Sequence, residues 1–94
     1  MQRVVVTGMS VVTALGDNWP QFKQALQQGR NAVAVMPEWD LYTNMSTRLA
    51  APITDFVTPA HYSRKLVRSM GRVSLMATRA TELALQDAGL LDHP

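Results

Sequence analysis

The sequence has no cysteine among its 94 residues. Disulfide bonds, thiolate zinc sites and a thiol nucleophile are therefore excluded within this chain. Histidine is scarce too. The sequence contains two, His61 and His93, and neither has a second potential metal ligand at helical spacing. We find no paired carboxylates and no Ser-His pairing. The residues thus predict no catalytic group, no metal site and no cofactor.

Charged residues are few as well, at 17% of the chain, whereas hydrophobic residues make up 47%. A typical soluble domain has about 25% charged residues, so we expect part of this surface to be covered by more protein. The net charge of +2 is too small to argue for a nucleic-acid partner. No apolar run reaches the roughly 18 residues of a membrane span, and the start lacks a secretory signal. We therefore expect a cytoplasmic protein that does not bind membranes.

The first patterned segment is Gln2–Met9, with the sequence QRVVVTGM. Three consecutive β-branched residues ahead of Gly8 predict a short strand buried on both faces. Gly8 and Gly16 are interpreted as turn glycines. A dinucleotide-binding fingerprint is not predicted, since Ser10 and Thr13 stand where that motif needs glycine, and the lysine of a phosphate-binding P-loop is missing as well.

A helix is predicted after this loop. Asp17 or Asn18 can cap its start, and Pro20 suits its first turn. Gly29 marks its end. The apolar residues that repeat at helical spacing between these signals are Phe22, Ala25 and Leu26.

An irregular segment follows over residues 30–44. Trp39 and Tyr42 are its large apolar side chains, and we interpret them as packing anchors. A short strand is predicted over Arg48–Ile53, where Pro52 either confines it to a sheet edge or ends it. Thr58-Pro59 then predicts a short helical turn over residues 60–62.

The stretch His61–Leu91 dominates the chain and is predicted to form a buried helix in its second half. Ala, Leu, Met, Arg, Glu and Gln prevail there, and these residues favour helices. Gly89 predicts a left-handed C-cap. Apolar or small residues follow one helix face at Val73, Met76, Ala77, Ala80, Leu83, Ala84 and Ala88.

Positive charge is concentrated in the first half of this stretch. Residues 56–81 contain five basic residues and no acidic one. Arg64 and Arg68 would share a helix face with Lys65 beside them. Such a basic cluster suits an anionic partner, and the alternative is a solvated helix face with no partner.

In their order and spacing, these residues resemble the amino terminus of a β-ketoacyl-[acyl-carrier-protein] synthase of the synthase II type. The resemblance spans the whole chain. Its features are V-V-V-T-G at residues 4–8, Gly16, Gly29, Trp39-Asp40, R-K-x-x-R-x-M at residues 64–70, and D-A-G-L at residues 87–90. The chain departs from the family's pattern where a second glycine, a Ser-Gly pair and an Asp before the long helix are usual. Those positions hold Ser10, Asn31-Ala32 and Gly71.

The resemblance implies an α/β fold, namely the N-terminal portion of a thiolase-like layered αβαβα fold. Its elements would be a strand, a helix, a loop-rich segment and a long buried helix. Residues 1–94 would then form the N-terminal part of a ketoacyl-synthase N-terminal domain, that is, an incomplete domain.

The resemblance also implies an activity for the parent protein, which is acyl-chain elongation by decarboxylative Claisen condensation in fatty-acid or polyketide biosynthesis. An active-site cysteine would hold the acyl group as a thioester, and malonyl-carrier protein would lose carbon dioxide to give the attacking carbanion. Two histidines and backbone amides would stabilise the developing negative charge. These groups lie downstream in the family, and His61 and His93 match neither histidine motif. The 94-residue chain alone is therefore not expected to be active.

The partners implied by the resemblance are acyl carrier protein and, in the complete protein, acyl and malonyl thioesters. In the resembling enzymes the R-K-x-x-R segment helps to receive the acidic helix of acyl carrier protein. Arg64, Lys65 and Arg68 match that segment and are the predicted carrier-docking residues. The resemblance also implies a homodimer, or a heterodimer with a ketosynthase. It implies no cofactor.

Two alternatives remain open from the sequence. The first is a non-catalytic partner of a ketosynthase, similar to a chain-length factor, which keeps the fold but lacks the cysteine. The second is a small helical binding module built on the basic segment. A cysteine further along the reading frame would distinguish a catalyst from the first, and cooperative unfolding of a monomeric chain would support the second.

Overall fold

The computed structural model describes residues 2–91, so His93 lies outside the described part. Over those residues the elements, in chain order, are helix α1 (Trp19–Gln27), strand β1 (Ala34–Val35), a 3-10 helix (Pro37–Leu41), strand β2 (Leu49–Ala50), helix α2 (Arg64–Val67) and helix α3 (Arg72–Asp87). Within this range, every helix is too short or too polar to span a membrane.

Helix α1 begins and ends where the sequence predicts. Asn18 is the N-cap, and its side-chain oxygen accepts a hydrogen bond from the backbone N–H of Gln21 at 3.0 Å. Gly29 follows the C-cap with a φ of 71°. There the Arg30 amide donates to the carbonyl of Ala25 at 2.9 Å, which is the bond that closes a Schellman motif.

The loop-rich segment contains a small antiparallel sheet. Ala34 pairs with Ala50 and Val35 with Leu49, so β2 lies within the predicted strand 48–53. The segment 30–44, predicted to be irregular, therefore contains one short strand, because β1 pairs with β2 beyond the intervening 3-10 helix. Tyr42 is also no packing anchor, since its side chain is exposed.

The strand predicted over Gln2–Met9 is absent from the described structure. Val4 is 95% exposed and Val6 is 78% exposed, and this segment is not paired with another strand. A strand needs backbone partners on its edges, and residues 2–91 supply none here. The segment instead contacts α3, where the Met9 amide donates to the Asp87 carboxylate at 3.0 Å.

Gly8 and Ser10 lie against the same helix. A Cβ on Gly8 would be 2.6 Å from the amide nitrogen of Ala88, so this glycine permits a close approach rather than a turn. The turn is made further along, where Gly16 and Thr13 are hydrogen-bonded to each other through their backbones. Ser10 does not need the freedom of the usual glycine, since no described residue other than glycine has a positive φ. Its hydroxyl donates to the carbonyl of Ala80.

The stretch 61–91 forms two helices separated by a break at residues 68–71. A hydrogen-bonded turn, closed by the Tyr62 amide and the Pro59 carbonyl at 3.1 Å, precedes them. Gly71 is the N-cap of α3 and provides no side-chain hydrogen bond. Gly89 has a φ of 72° after the C-cap, so the predicted left-handed C-cap is confirmed.

The prediction that α3 is buried was wrong for the described residues. None of its side chains is fully buried, and Val73 at its start is 82% exposed. Among residues 2–91 the buried hydrophobic core consists of Ala25 alone. Residues 2–91 therefore supply no second layer that buries the apolar faces of these helices. Exposed apolar surface of this extent is typical of a region that packs against further protein.

Candidate functional site

The basic cluster, defined as Arg64, Lys65 and Arg68, lies on and directly after helix α2. Ser63 starts this helix, because its hydroxyl oxygen accepts a hydrogen bond from the Leu66 amide at 3.1 Å. The local sequence thus builds the turn that carries the cluster, since Ser is a favoured N-cap. All three basic side chains are exposed.

The basic cluster makes no ion pair within residues 2–91. The carboxylates that form ion pairs there bind other residues, with Asp40 bound to Arg48 at 2.5 Å and Glu82 bound to Arg79 and His61. Leu66, which lies among the cations, is 47% exposed. Leu66 and the basic residues beside it in sequence, which have no ion-pair partner within the described range, form a surface that suits an amphipathic acidic partner.

A second group of polar side chains joins the turn before α2 to helix α3, and we call it the Glu82 cluster, defined as His61 and Tyr62 of the turn and Arg79 and Glu82 of α3. One Glu82 oxygen lies 2.5 Å from His61 Nε2. The other accepts the Tyr62 hydroxyl at 3.2 Å and also a hydrogen bond from Arg79. The ring of His61 meets that of Tyr62 edge to face at a centroid distance of 4.8 Å.

The environment of the Glu82 cluster shifts two pKa values. Partial burial acts to raise the pKa of Glu82, but hydrogen bonds from His61, Arg79 and Tyr62 outweigh it and lower the pKa below 4.5. Burial, followed by the hydrogen bond to the Glu82 carboxylate, raises the pKa of the Tyr62 hydroxyl above 10.0. Glu82 is thus a carboxylate that three donors stabilise in its ionised form.

The sequence predicted the residues of the basic cluster but not the Glu82 cluster. Arg79 and Glu82 are three positions apart on one helix, a spacing that favours an ion pair and is visible in the sequence. His61 and Tyr62 reach Glu82 across 21 and 20 residues, and no local pattern indicates such a contact. Within the described range, no group of three or more His, Cys, Asp or Glu side chains is placed to hold a metal.

The chain matches a family model described as Beta-ketoacyl synthase, N-terminal domain, over residues 1–94. It is 31% identical to the 3-oxoacyl-[acyl-carrier-protein] synthase 1 of Haemophilus influenzae over 98% of its own length and 22% of that protein's. It is 35% identical to the chloroplastic 3-oxoacyl-[acyl-carrier-protein] synthase II of Arabidopsis thaliana, covering 98% of this chain and 17% of that one. The chain therefore spans about a fifth of the length of these relatives.

The solved structure of a beta-ketoacyl synthase from Burkholderia phymatum superimposes on this chain with a TM-score of 0.87. The two share 56% sequence identity over 99% of this chain and 23% of that one. The resemblance read from the sequence is confirmed, and so is the fold class, the N-terminal portion of a thiolase-like α/β fold.

Proposed function

The chain belongs to the beta-ketoacyl synthase N-terminal domain family, and on this premise we propose that its parent protein is an acyltransferase that elongates acyl chains on a carrier protein. In this reaction malonyl-carrier protein loses carbon dioxide, and the resulting carbanion attacks the carbonyl carbon of a cysteine-bound acyl thioester. The cysteine thiolate leaves, and a 3-oxoacyl chain remains on the carrier. The 94-residue chain has no cysteine, so the nucleophile would come from elsewhere in the protein.

The observation that supports this proposal most strongly is that sequence similarity to a beta-ketoacyl synthase extends over almost the whole chain instead of a single motif. The 56% identity to a solved beta-ketoacyl synthase extends over 99% of the residues. The exposed apolar surface of α3 and of Val4–Val6 supports the related proposal that residues 1–94 are one part of a larger domain, because such surface is normally covered.

The test is a condensation assay on the complete protein, supplied with an acyl thioester and malonyl-carrier protein. We expect carbon dioxide release and a 3-oxoacyl-carrier product, both lost when the nucleophilic cysteine is replaced by alanine. If the complete protein contains no such cysteine and is active only beside a separate ketosynthase, it is the non-catalytic partner instead. We also propose that the complete protein forms a homodimer or, if it is the non-catalytic partner, a heterodimer with a ketosynthase, and light scattering on the same sample tests this.

We further propose that the basic cluster receives acyl carrier protein. Its support is the exposure of Arg64, Lys65 and Arg68 and the fact that they form no ion pair within the described range. Each exposed contact would contribute only about 0.2–1 kcal/mol, so the cluster acts mainly by steering and orienting an acidic partner. Replacing Lys65 and Arg68 with Glu in the complete protein tests this, because carrier binding and its salt dependence should both fall.

A further inference from the structure

The carboxylate of Glu82 connects helix α3 to the turn that leads into α2. It lies 2.5 Å from His61 Nε2 and accepts the Tyr62 hydroxyl at 3.2 Å. We propose that Glu82 is a positioning residue that fixes the basic cluster in the orientation that an acidic carrier protein recognises. This inference deepens the proposed carrier docking and rests on it.

The chain between the Glu82 cluster and the basic cluster is too short to reorient freely. One residue, Ser63, separates Tyr62 from Arg64. Ser63 is itself held as the N-cap of α2 by the Leu66 amide, and the Tyr62 amide is bonded to the Pro59 carbonyl. One hydrogen-bonded turn therefore ends at Tyr62 and the next begins at Ser63. A position imposed on Tyr62 thus also constrains Arg64.

Little else in the described structure holds this segment on α3. Helix α2 has no buried residue. The side-chain hydrogen bond on its far side runs from the Thr78 hydroxyl to the sulfur of Met70 at 3.9 Å, and a thioether is a weak acceptor. The bonds to the ionised Glu82 are charge-assisted and therefore stronger.

The charged groups around Glu82 make the proposal testable, because an electrostatic role and a positioning role predict opposite changes in carrier affinity when Glu82 is neutralised. Arg79 binds Glu82 from α3, and Asp17 and Asp55 line the same depression as Arg79. Neutralising Glu82 removes a negative charge near the basic cluster, which by electrostatics alone should strengthen binding of an acidic partner. Loss of positioning should weaken it, since apparent affinity falls with the fraction of molecules in the competent conformation.

The experiment compares the complete protein with its Glu82→Gln variant, using acyl carrier protein as the probe. We expect the Kd to rise by about 3- to 10-fold and amide hydrogen exchange over residues 61–68 to accelerate by about tenfold, since local opening is easier. Glu38→Gln removes the same charge from an exposed side chain on the 3-10 helix and should change neither quantity. The double variant His61→Phe with Tyr62→Phe keeps both rings, removes the two donors instead of the carboxylate charge, and should reproduce the effect of Glu82→Gln.

The outcomes separate this inference from the docking proposal. Unchanged or tighter carrier binding by Glu82→Gln, in a protein whose binding still depends on Lys65 and Arg68, would overturn the positioning role alone. If replacing Lys65 and Arg68 leaves carrier binding unchanged, the docking role is overturned. Amide hydrogen exchange over residues 61–68 would then decide whether Glu82 fixes the turn. If Glu82→Gln does not fold, the same measurements on the double variant decide whether the positioning role holds.

Discussion

Gly8 lies so close to Ala88 that a Cβ built on the glycine would be 2.8 Å from the Cβ of the alanine. The same Cβ would collide with the carbonyl oxygen of Ala84 and lie 2.6 Å from the amide nitrogen of Ala88. Two of these neighbours are backbone atoms, so the clash cannot be relieved by a side-chain rotation. The N-terminal segment therefore approaches α3 closely only because position 8 has no side chain.

Replacing Gly8 with Ala should destabilise the complete protein by about 1–3 kcal/mol, because the segment must move away from α3. Urea denaturation measures the change. The control is Gly71→Ala, where an added Cβ meets no atom within 4 Å and the change in N-cap preference should cost less than about 1 kcal/mol. Equal stability losses in the two variants would show that the close approach at Gly8 is unimportant.

Replacing Asn18 with Ala should destabilise the protein by about 0.5–2 kcal/mol, because the Gln21 amide loses its N-cap acceptor. That hydrogen bond is 3.0 Å long. Asn18→Asp keeps a capping oxygen and should retain most of the stability. Thermal unfolding of both variants checks this, and a loss in Asn18→Asp as large as in Asn18→Ala would contradict the capping role.

Replacing Gly71 with Asp should stabilise α3, which has no side-chain cap at its start. A capping carboxylate satisfies an N-terminal amide and also favours the positive end of the helix dipole, a gain of about 0.3–1 kcal/mol. Asn at the same position supplies the hydrogen bond without the charge. The melting temperatures should therefore rise in the order Gly, Asn, Asp, and a lower value for Asp than for Gly would refute the prediction.

The contribution of Glu82 to stability should depend on pH. Its pKa in the folded protein is below 4.5, despite partial burial, because of its bonds to His61, Arg79 and Tyr62. A carboxyl group with a lowered folded-state pKa stabilises the fold above its unfolded-state pKa, and this stabilisation is lost as the pH falls through the folded-state value. The difference in stability between wild type and Glu82→Gln should thus be largest above pH 4.5.

This pH dependence is checked by urea unfolding of both proteins from pH 7 to about pH 3, the range in which carboxyl groups titrate. Glu38→Gln, which removes an exposed carboxylate, serves as the control and should follow wild type throughout. A stability gap between wild type and Glu82→Gln that stays constant down to the lowest pH would mean that the ionised carboxylate is not what Glu82 contributes.

Charge reversal at Lys65 should weaken binding of acyl carrier protein by the complete protein. Lys65→Glu combined with Arg68→Glu is expected to raise the Kd by about tenfold or more at low salt and to flatten its salt dependence. Lys23→Glu makes the same type of change on an exposed lysine of α1 and should have little effect. Binding curves that coincide for wild type and the double variant at low ionic strength would refute the docking proposal.

Features that depend on neighbours along the chain follow from the local sequence. The Asn18 cap, the left-handed glycines at positions 29 and 89 and the Ser63-capped basic turn each rest on bonds between residues at most five positions apart. The family was also recognisable, because its features keep their order and spacing along the chain.

Contacts between distant segments depend on the three-dimensional fold and have no signal in the local sequence. The pairing of Ala34 with Ala50, the contact of Gly8 with Ala88 and the contact of His61 with Glu82 follow from how the chain is folded back on itself. For the same reason, the strand predicted over Gln2–Met9 is absent from the described residues and α3 is not buried among them. Strand pairing and burial require partners from elsewhere in space, and residues 2–91 do not supply them.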